Sequence, residues 1–523
     1  MKTNVKLLGV ATIILSFTAC SSAGKNKNLK HELAIVHVND VHGRAETGKA
    51  EMGYAGVAAL INEEREKYGA ENVLFLDAGD TFHGTTFATL DKGESIARAL
   101  DKLGLEAMVA GNHDFNYGYK RLVELDKATN FKVLTANVID KDGKYLGTPY
   151  IIKNIQGKKV GIFGLSTPET YYKTNPSNIE GIKFLPPIEV AKQMVENLKA
   201  QGVEFIVLLS HLGDDEATEK KYQSVGVAEA VNGINLIIDG HSHTRLTEKK
   251  IINNTVIVQT GEYTKDAGVI EVDFDELSNG AAAIDYRLIS RNEFIPADTT
   301  KLEPNKNYRV TDKEMDTFIK NIKENQKKIT DVIIGNTNVK LEGDRAFVRT
   351  GETNLSNILT DAMIAKTGAD VALTNGGGIR TSINEGSITV GDIISVLPFG
   401  NYVITKEITG ADLKAALEHG LSKYPDSNGG FPQFAGIKVE MDSKKPAGQR
   451  INKITFNNNK KFDPKSKYTI ATNDFMAVGG DDYTSLKNGK QIAHYPALDE
   501  ILIEYIKSGV KLPAKADGRL KVK

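Results

Sequence analysis

From Leu33 to about Ile295 the chain alternates short apolar runs with longer segments in which apolar positions recur at helical spacing. Leu33–Val38 and Val73–Leu76 read as strands, and the segments near Gly56–Tyr68 and Glu94–Leu103 as helices. Such alternation predicts α/β layers. Between residues 296 and 330 the sequence turns charged, and Val310–Thr330 keeps apolar residues at helical spacing, which predicts a helical connector. A second α/β block covers residues 331–523, opening with Val332-Ile333-Ile334 and closing in a helix near Leu498–Lys507.

The amino terminus follows a different pattern. Lys2 and Lys6 precede an apolar stretch from Leu7 to Phe17, shorter than the roughly 20 residues a membrane span needs and suited to the apolar part of a signal peptide. It ends in Phe17-Thr18-Ala19-Cys20, followed by Ser21, Ser22, Ala23 and Gly24. Small residues before a cysteine resemble the lipobox of bacterial lipoproteins, although Phe17 departs from the usual aliphatic residue. This predicts a signal peptide over residues 1–20, lipid attachment at Cys20 and a polar tether over 21–30. The chain is then expected to be an exported bacterial lipoprotein of the cell envelope, on the periplasmic side or the cell surface. An ordinary signal peptide with a chance cysteine is the alternative. Cys20 is the sole cysteine, so neither an internal disulfide nor a thiolate metal site can form.

Composition narrows the partners. Lys plus Arg total 66 against 67 Asp plus Glu, a formal net charge of −1. A chain this balanced lacks the basic field that binds nucleic-acid polymers, so an anionic ligand must be met by local cations or metals. No sequence feature points to a protein partner. The length after export suits two or three domains.

Candidate chemistry collects where apolar runs end. Asp40-Val41-His42 follows Leu33–Val38, Asp77-Ala78-Gly79-Asp80 follows Val73–Leu76, and Gly111-Asn112-His113-Asp114 follows Met108-Val109-Ala110. His211 comes after Phe205–Leu209, and Gly240-His241-Ser242-His243 after Leu236–Ile238. Carboxyl ends of strands are where open α/β sheets bind ligands. Together these ends offer Asp40, His42, Asp80, Asn112, His211, His241 and His243, a mix of carboxylate, imidazole and amide donors suited to two Zn²⁺, Mn²⁺ or Co²⁺ ions. One histidine beside a strand is usually a surface or core residue; five such segments at matching strand ends point to a site.

These motifs resemble the calcineurin-type metallophosphoesterases, and within them the bacterial 5′-nucleotidase, UDP-sugar hydrolase and 2′,3′-cyclic phosphodiesterase branch. The resemblance implies a four-layer amino-terminal sandwich carrying two divalent ions and a carboxy-terminal α/β nucleotide-binding domain. By motif, one ion would be held by Asp40, His42, Asp80 and His243, and the other by Asp80, Asn112, His211 and His241, with Asp80 as the bridge. His113 would stabilise or protonate the leaving oxygen. In the second block the resemblance assigns Arg345, Arg349 and Arg380 to phosphate, with Asn375 and Gly377 in the Gly-Gly-Gly turn after a strand read as Ala369–Leu373. It has Phe399 and Phe475 sandwich the base, Asn401 touch it and Asp481 take the ribose hydroxyls. Each stacked base face is worth about 1–3 kcal/mol.

One residue departs from the 5′-nucleotidase pattern: Asn116 stands where those enzymes usually have an Asp paired with the catalytic histidine. Asn there looks more like the 2′,3′-cyclic phosphodiesterase/3′-nucleotidase branch. An amide is expected to orient His113 through its carbonyl oxygen, and activity to fall at alkaline pH as His113 deprotonates. The base clamp favours removal of phosphate from 5′-nucleotides; cyclic phosphodiesterase and UDP-sugar hydrolase are the alternatives. A non-catalytic surface nucleoside-binding protein is the reading of another class, disfavoured because all seven candidate ligands are present.

Overall fold

The computed structural model describes residues 31–174, 176–214, 218–295, 308–457 and 460–523. The expected signal peptide, Cys20 and the expected tether lie outside the described residues.

Leu33–Val38 shows how the amino-terminal layers arise. All six residues are buried, and because successive side chains leave a strand on opposite faces, Leu33 and Ile35 enter one core while Val36 and Val38 enter another. The strand lies third in a six-stranded sheet of order Ile284–Ser290, Asp266–Val272, Leu33–Val38, Val73–Asp77, Ala107–Val109 and Lys132–Leu134. A second six-stranded sheet has the order Lys250–Ile252, Thr255–Val258, Leu236–Ile238, Phe205–His211, Lys158–Ser166 and Tyr150–Ile155. Leu33, Ile35, Leu74 and Leu76 of the first sheet share one core with Ile162, Val207, Leu209 and Ile238 of the second, so the sheets pack face to face. Gly53–Tyr68 and Glu94–Leu103 cover the outer face of the first, and Pro187–Ala200 and Ser224–Ala230 that of the second. These are the four expected layers.

Lys313–Thr330 forms the helix expected before the second block, capped by Asp312. It buries Met315, Ile319 and Ile322 in the amino-terminal core. The carboxy-terminal domain is built on a five-stranded sheet of order Pro432–Ala435, Val371–Asn375, Lys467–Asn473, Tyr402–Thr409 and Lys490–Ala497. Asn354–Thr367 and Leu498–Lys507 pack on one face and Gly410–Gly420 on the other.

Some boundaries differ from expectation. The strand read as Ala369–Leu373 runs Val371–Asn375: Gly368 in the left-handed conformation ends the preceding helix, and Asn375 still pairs with Pro432. His211 is the last residue of its strand and Ile333 the first of the strand Ile333–Thr337.

Candidate active site

The strand ends converge because glycines let their backbones close on one another. A Cβ on Gly111 would lie 2.2 Å from Asp80 Oδ1, and one on Gly240 would lie 2.8 Å from the Ala78 carbonyl and 2.9 Å from His211 Nδ1. Asp114 ties two of the loops together. Its Oδ2 accepts from the backbone N–H groups of Asp80 and Gly111, and its Oδ1 from those of Thr81 and Phe82. Five of the candidate ligands, Asp40, His42, Asp80, His241 and His243, adopt positive φ, as do Tyr263 and Thr264 nearby. Left-handed backbone at non-glycine residues costs about 1–3 kcal/mol each and gathers at functional sites.

The ligating atoms form two groups, Asp40, His42 and His243, and Asp80, His211 and His241, each within 4.8 Å of one another. Asp80 Oδ2 faces both, 3.2 Å from His211 Nε2 and 3.9 Å from His42 Nε2. The other oxygen, Oδ1, accepts the His113 backbone N–H at 2.7 Å. Three imidazoles are oriented from behind: His211 Nδ1 donates to the Ala78 carbonyl at 2.7 Å, His241 Nε2 to Glu169 at 2.8 Å, and His243 Nδ1 to Glu262 at 2.5 Å. Each keeps its remaining nitrogen for a metal, as outer hydrogen bonds do in metal centres. Among the described residues, His211 Nε2 and Asn112 Oδ1 are buried without a hydrogen-bond partner. Buried polar atoms are seldom left so, and an imidazole nitrogen, an amide oxygen and a carboxylate are donors that a divalent cation accepts. Burial works against charge on His211, yet Asp80 and Asp40 raise it to about 10, and Asp40 and Glu262 raise His243 to about 11 against the same opposition. The field calls for positive charge.

His113 sits beside this centre, its ring centroid 5.2 Å from that of His42. Burial, aided by Arg380, holds it down to about 4, with Asp80 opposing, so the imidazole is neutral at neutral pH. Asn116 meets His113 as expected, but through its amide nitrogen: Nδ2 lies 2.9 Å from His113 Nδ1, while Oδ1 accepts from Thr174 Oγ1 at 2.7 Å. The amide face corrects the sequence expectation, because Thr174 claims the amide oxygen.

The carboxy-terminal residues come to the same place. A cleft of about 480 Å³ is lined by Asn112, His113 and Asn116 from one domain and by Arg349, Asn375, Gly377, Arg380, Phe399, Asn401, Phe475 and Asp481 from the other. Asn375 Nδ2 donates to Asp481 Oδ2 at 2.7 Å. A second cleft of about 630 Å³ runs from His42 and His113 past Arg345, Arg349 and Arg380 toward Lys323 and Lys327. Burial first, then Arg380 and Arg345, lowers Arg349 to about 10, the mark of a guanidinium cluster short of counter-charge. Every candidate ligand, catalytic and substrate residue except Cys20 thus belongs to one region between the domains. Residues the sequence reading missed include Glu169, Glu262, Asp114, Thr174 and His83. Of these, Asp114 stood inside a named motif and His83 three residues beyond Asp80; the two glutamates carry no local signal.

Comparison with known proteins agrees with this geometry. Residues 33–245 match the calcineurin-like phosphoesterase family, and residues 333–488 match the 5′-nucleotidase carboxy-terminal domain. A 5′-nucleotidase of Vibrio parahaemolyticus is 30% identical over 95% of this chain and 93% of its own. The trifunctional nucleotide phosphoesterase YfkN of Bacillus subtilis is 32% identical over 98% of this chain, which spans 36% of that longer protein. The crystal structure of a 5′-nucleotidase precursor from Thermus thermophilus superposes with a TM-score of 0.71 at 32% identity, covering 94% of this chain and 99% of the other.

Proposed function

Because the chain belongs to the 5′-nucleotidase family of metal-dependent phosphoester hydrolases, we propose that it removes phosphate from nucleotides, 5′-nucleotides foremost. The observation that carries this reading is that a cleft holding Arg349, Arg380, Phe399 and Phe475 opens on Asn112 and His113, beside the two groups of candidate metal ligands. Asp40, His42, Asp80 and His243 would hold one divalent ion and Asp80, Asn112, His211 and His241 the other, Zn²⁺, Mn²⁺ or Co²⁺ by their donor types. Bound there, such ions supply Lewis acidity and an activated water.

The chain's own residues do the rest. Arg345, Arg349 and Arg380 offset phosphate charge, and bidentate guanidinium donors suit its oxygens. His113, neutral and ringed by Asn116 and Phe399, faces the leaving oxygen and stabilises its developing charge by donating a hydrogen bond. Phe399 and Phe475 stack the base, Asn401 reads its edge, Asp481 and Asn375 receive the ribose hydroxyls, and Gly377 lines the same cleft, packed on the Gly429 backbone. Release of the nucleoside and phosphate completes the cycle.

Phosphate release from AMP, 3′-AMP, 2′,3′-cyclic AMP, ADP, ATP and UDP-glucose, with added Mn²⁺ or Zn²⁺, tests the reading. AMP should be preferred, and EDTA or Asp80→Ala should abolish turnover. Activity persisting in metal-free protein would sink it. The second reading, a 2′,3′-cyclic phosphodiesterase/3′-nucleotidase, is favoured by Asn116 and would be recognised by preference for cyclic AMP. The leader pattern ending at Cys20 supports export and a lipid anchor, since one thiol carrying more than one acyl chain holds a membrane stably. Fatty-acid labelling should mark the wild type and not Cys20→Ser; equal labelling excludes the anchor.

A further inference from the structure

We propose that His83 is a positioning residue that carries a hydrogen-bond constraint from the carboxy-terminal domain to His113 and sets which nitrogen of that imidazole bears the proton. The inference rests on His113 as the group facing the leaving oxygen.

The relay starts at Pro398, whose carbonyl oxygen lies 2.9 Å from His83 Nε2. A carbonyl only accepts, so Nε2 bears hydrogen. His83 is buried, and burial together with His113 lowers its pKa to about 3, which leaves a neutral ring with Nδ1 as an acceptor. The group facing that lone pair is Asn116 Nδ2, at 3.3 Å. This decides which way the Asn116 amide points, a matter that only its partners can decide. Thr174 Oγ1, donating to Asn116 Oδ1 at 2.7 Å, agrees. The second hydrogen of Asn116 Nδ2 then meets His113 Nδ1 at 2.9 Å. His113 accepts at Nδ1, so in its neutral form the proton resides on Nε2.

A carboxylate at position 116 would do the reverse, accepting from Nδ1–H and stabilising an imidazolium. This chain instead keeps a neutral donor at Nε2 through two uncharged relays. The first acceptor belongs to the other domain. His83 also stacks between the reacting domains, 5.4 Å from the Phe399 ring at 21° and 5.9 Å from His113 at 9°. When the domains are apposed, Pro398 holds the relay; were they apart, His83 could exchange tautomers and the Asn116 amide could turn over. Correct protonation of His113 is thereby tied to the arrangement that brings the base clamp to the metals.

Two substitutions separate relay from spacer. His83→Phe keeps an aromatic ring against Phe399 and His113 but neither donates nor accepts. His83→Gln can donate to Pro398 and accept from Asn116. On AMP, His83→Phe should lower kcat roughly 10- to 100-fold, up to the lower end of what loss of a positioned hydrogen-bond donor costs, with KM little changed, and His83→Gln should regain most of that loss. In an Asn116→Asp background, where a carboxylate meets His113 directly, adding His83→Phe should cost little, a coupling that additive losses would contradict. Independently of turnover, ¹⁵N spectra of histidine-labelled, Zn²⁺-loaded protein should give His113 an unprotonated Nδ1 in wild type and His83→Gln, and a tautomeric mixture in His83→Phe. A protonated Nδ1 in wild type, or an unchanged His113 in His83→Phe, overturns the proposal. If no nucleotide released phosphate, the functional reading would fail while the spectra still decided the relay.

Discussion

At the scale of single residues, His37 carries the clearest consequence for stability. It shares the face of Leu33 and Ile35 that meets the second sheet, stacks on Tyr286 at 6.1 Å, and among the described residues has no hydrogen-bond partner for either ring nitrogen. Its cross-strand partner is Gly268, where a Cβ would lie 1.9 Å from the imidazole, so a side chain there would displace the ring. Burial lowers His37 to about 3 from an ordinary 6.5. Above about 6.5 the ring is neutral both folded and unfolded, and stability is full. As pH falls from about 6.5 toward about 3, only the unfolded chain takes the proton, and stability is lost by up to several kcal/mol. His37→Leu removes this term. Its melting temperature should start lower, because the Tyr286 stacking is gone, but fall less steeply than the wild type between neutral and mildly acidic pH. Parallel curves would mean that His37 is protonated in the folded state.

At the scale of elements, the strand ends were the legible part of the site. Asp40, Asp80, Asn112, His211, His241 and His243 each stand at or just beyond the carboxyl end of an apolar run, and a strand end is visible in sequence because apolar residues stop there. The order of strands was not legible. Asp266–Val272 lies antiparallel beside Leu33–Val38 although more than 200 residues separate them, and no local pattern encodes such a pairing. Val371–Asn375 reads two residues early in the sequence because Thr374 and Asn375 look like turn formers, whereas tertiary pairing keeps both in the ladder. Glu169 and Glu262 escaped notice for a related reason. A carboxylate that orients a histidine from a distant loop has no periodicity of its own. The nitrogen face of Asn116 was also hidden, because it depends on Thr174 and on a carbonyl of the other domain.

At the scale of the whole molecule, the proposed function draws catalysis and recognition from different domains, and the two phenylalanines proposed to clamp the base have unequal surroundings. Phe475 rests on Gly480, where a Cβ would lie 2.5–2.6 Å from several atoms of the ring, so one face is covered by backbone while the ring lines the cleft between the domains. Phe399 follows Pro398, stacks on His83, approaches His113 at 5.9 Å and has the Arg380 guanidinium 5.4 Å from its centroid. Removing Phe475 should therefore cost base stacking alone, about 1–3 kcal/mol, read as a higher KM for AMP. Hydrolysis of p-nitrophenyl phosphate, which has no nucleobase, should be spared. Phe399→Ala should lose the same stacking and also open the space around His83, lowering kcat for both substrates. The measurement is kcat and KM of each variant on AMP and p-nitrophenyl phosphate at saturating metal. If Phe475→Ala impaired both substrates equally, Phe475 would be a packing residue. If Phe399→Ala spared p-nitrophenyl phosphate, the contact between its ring and the histidine pair would have no part in the reaction.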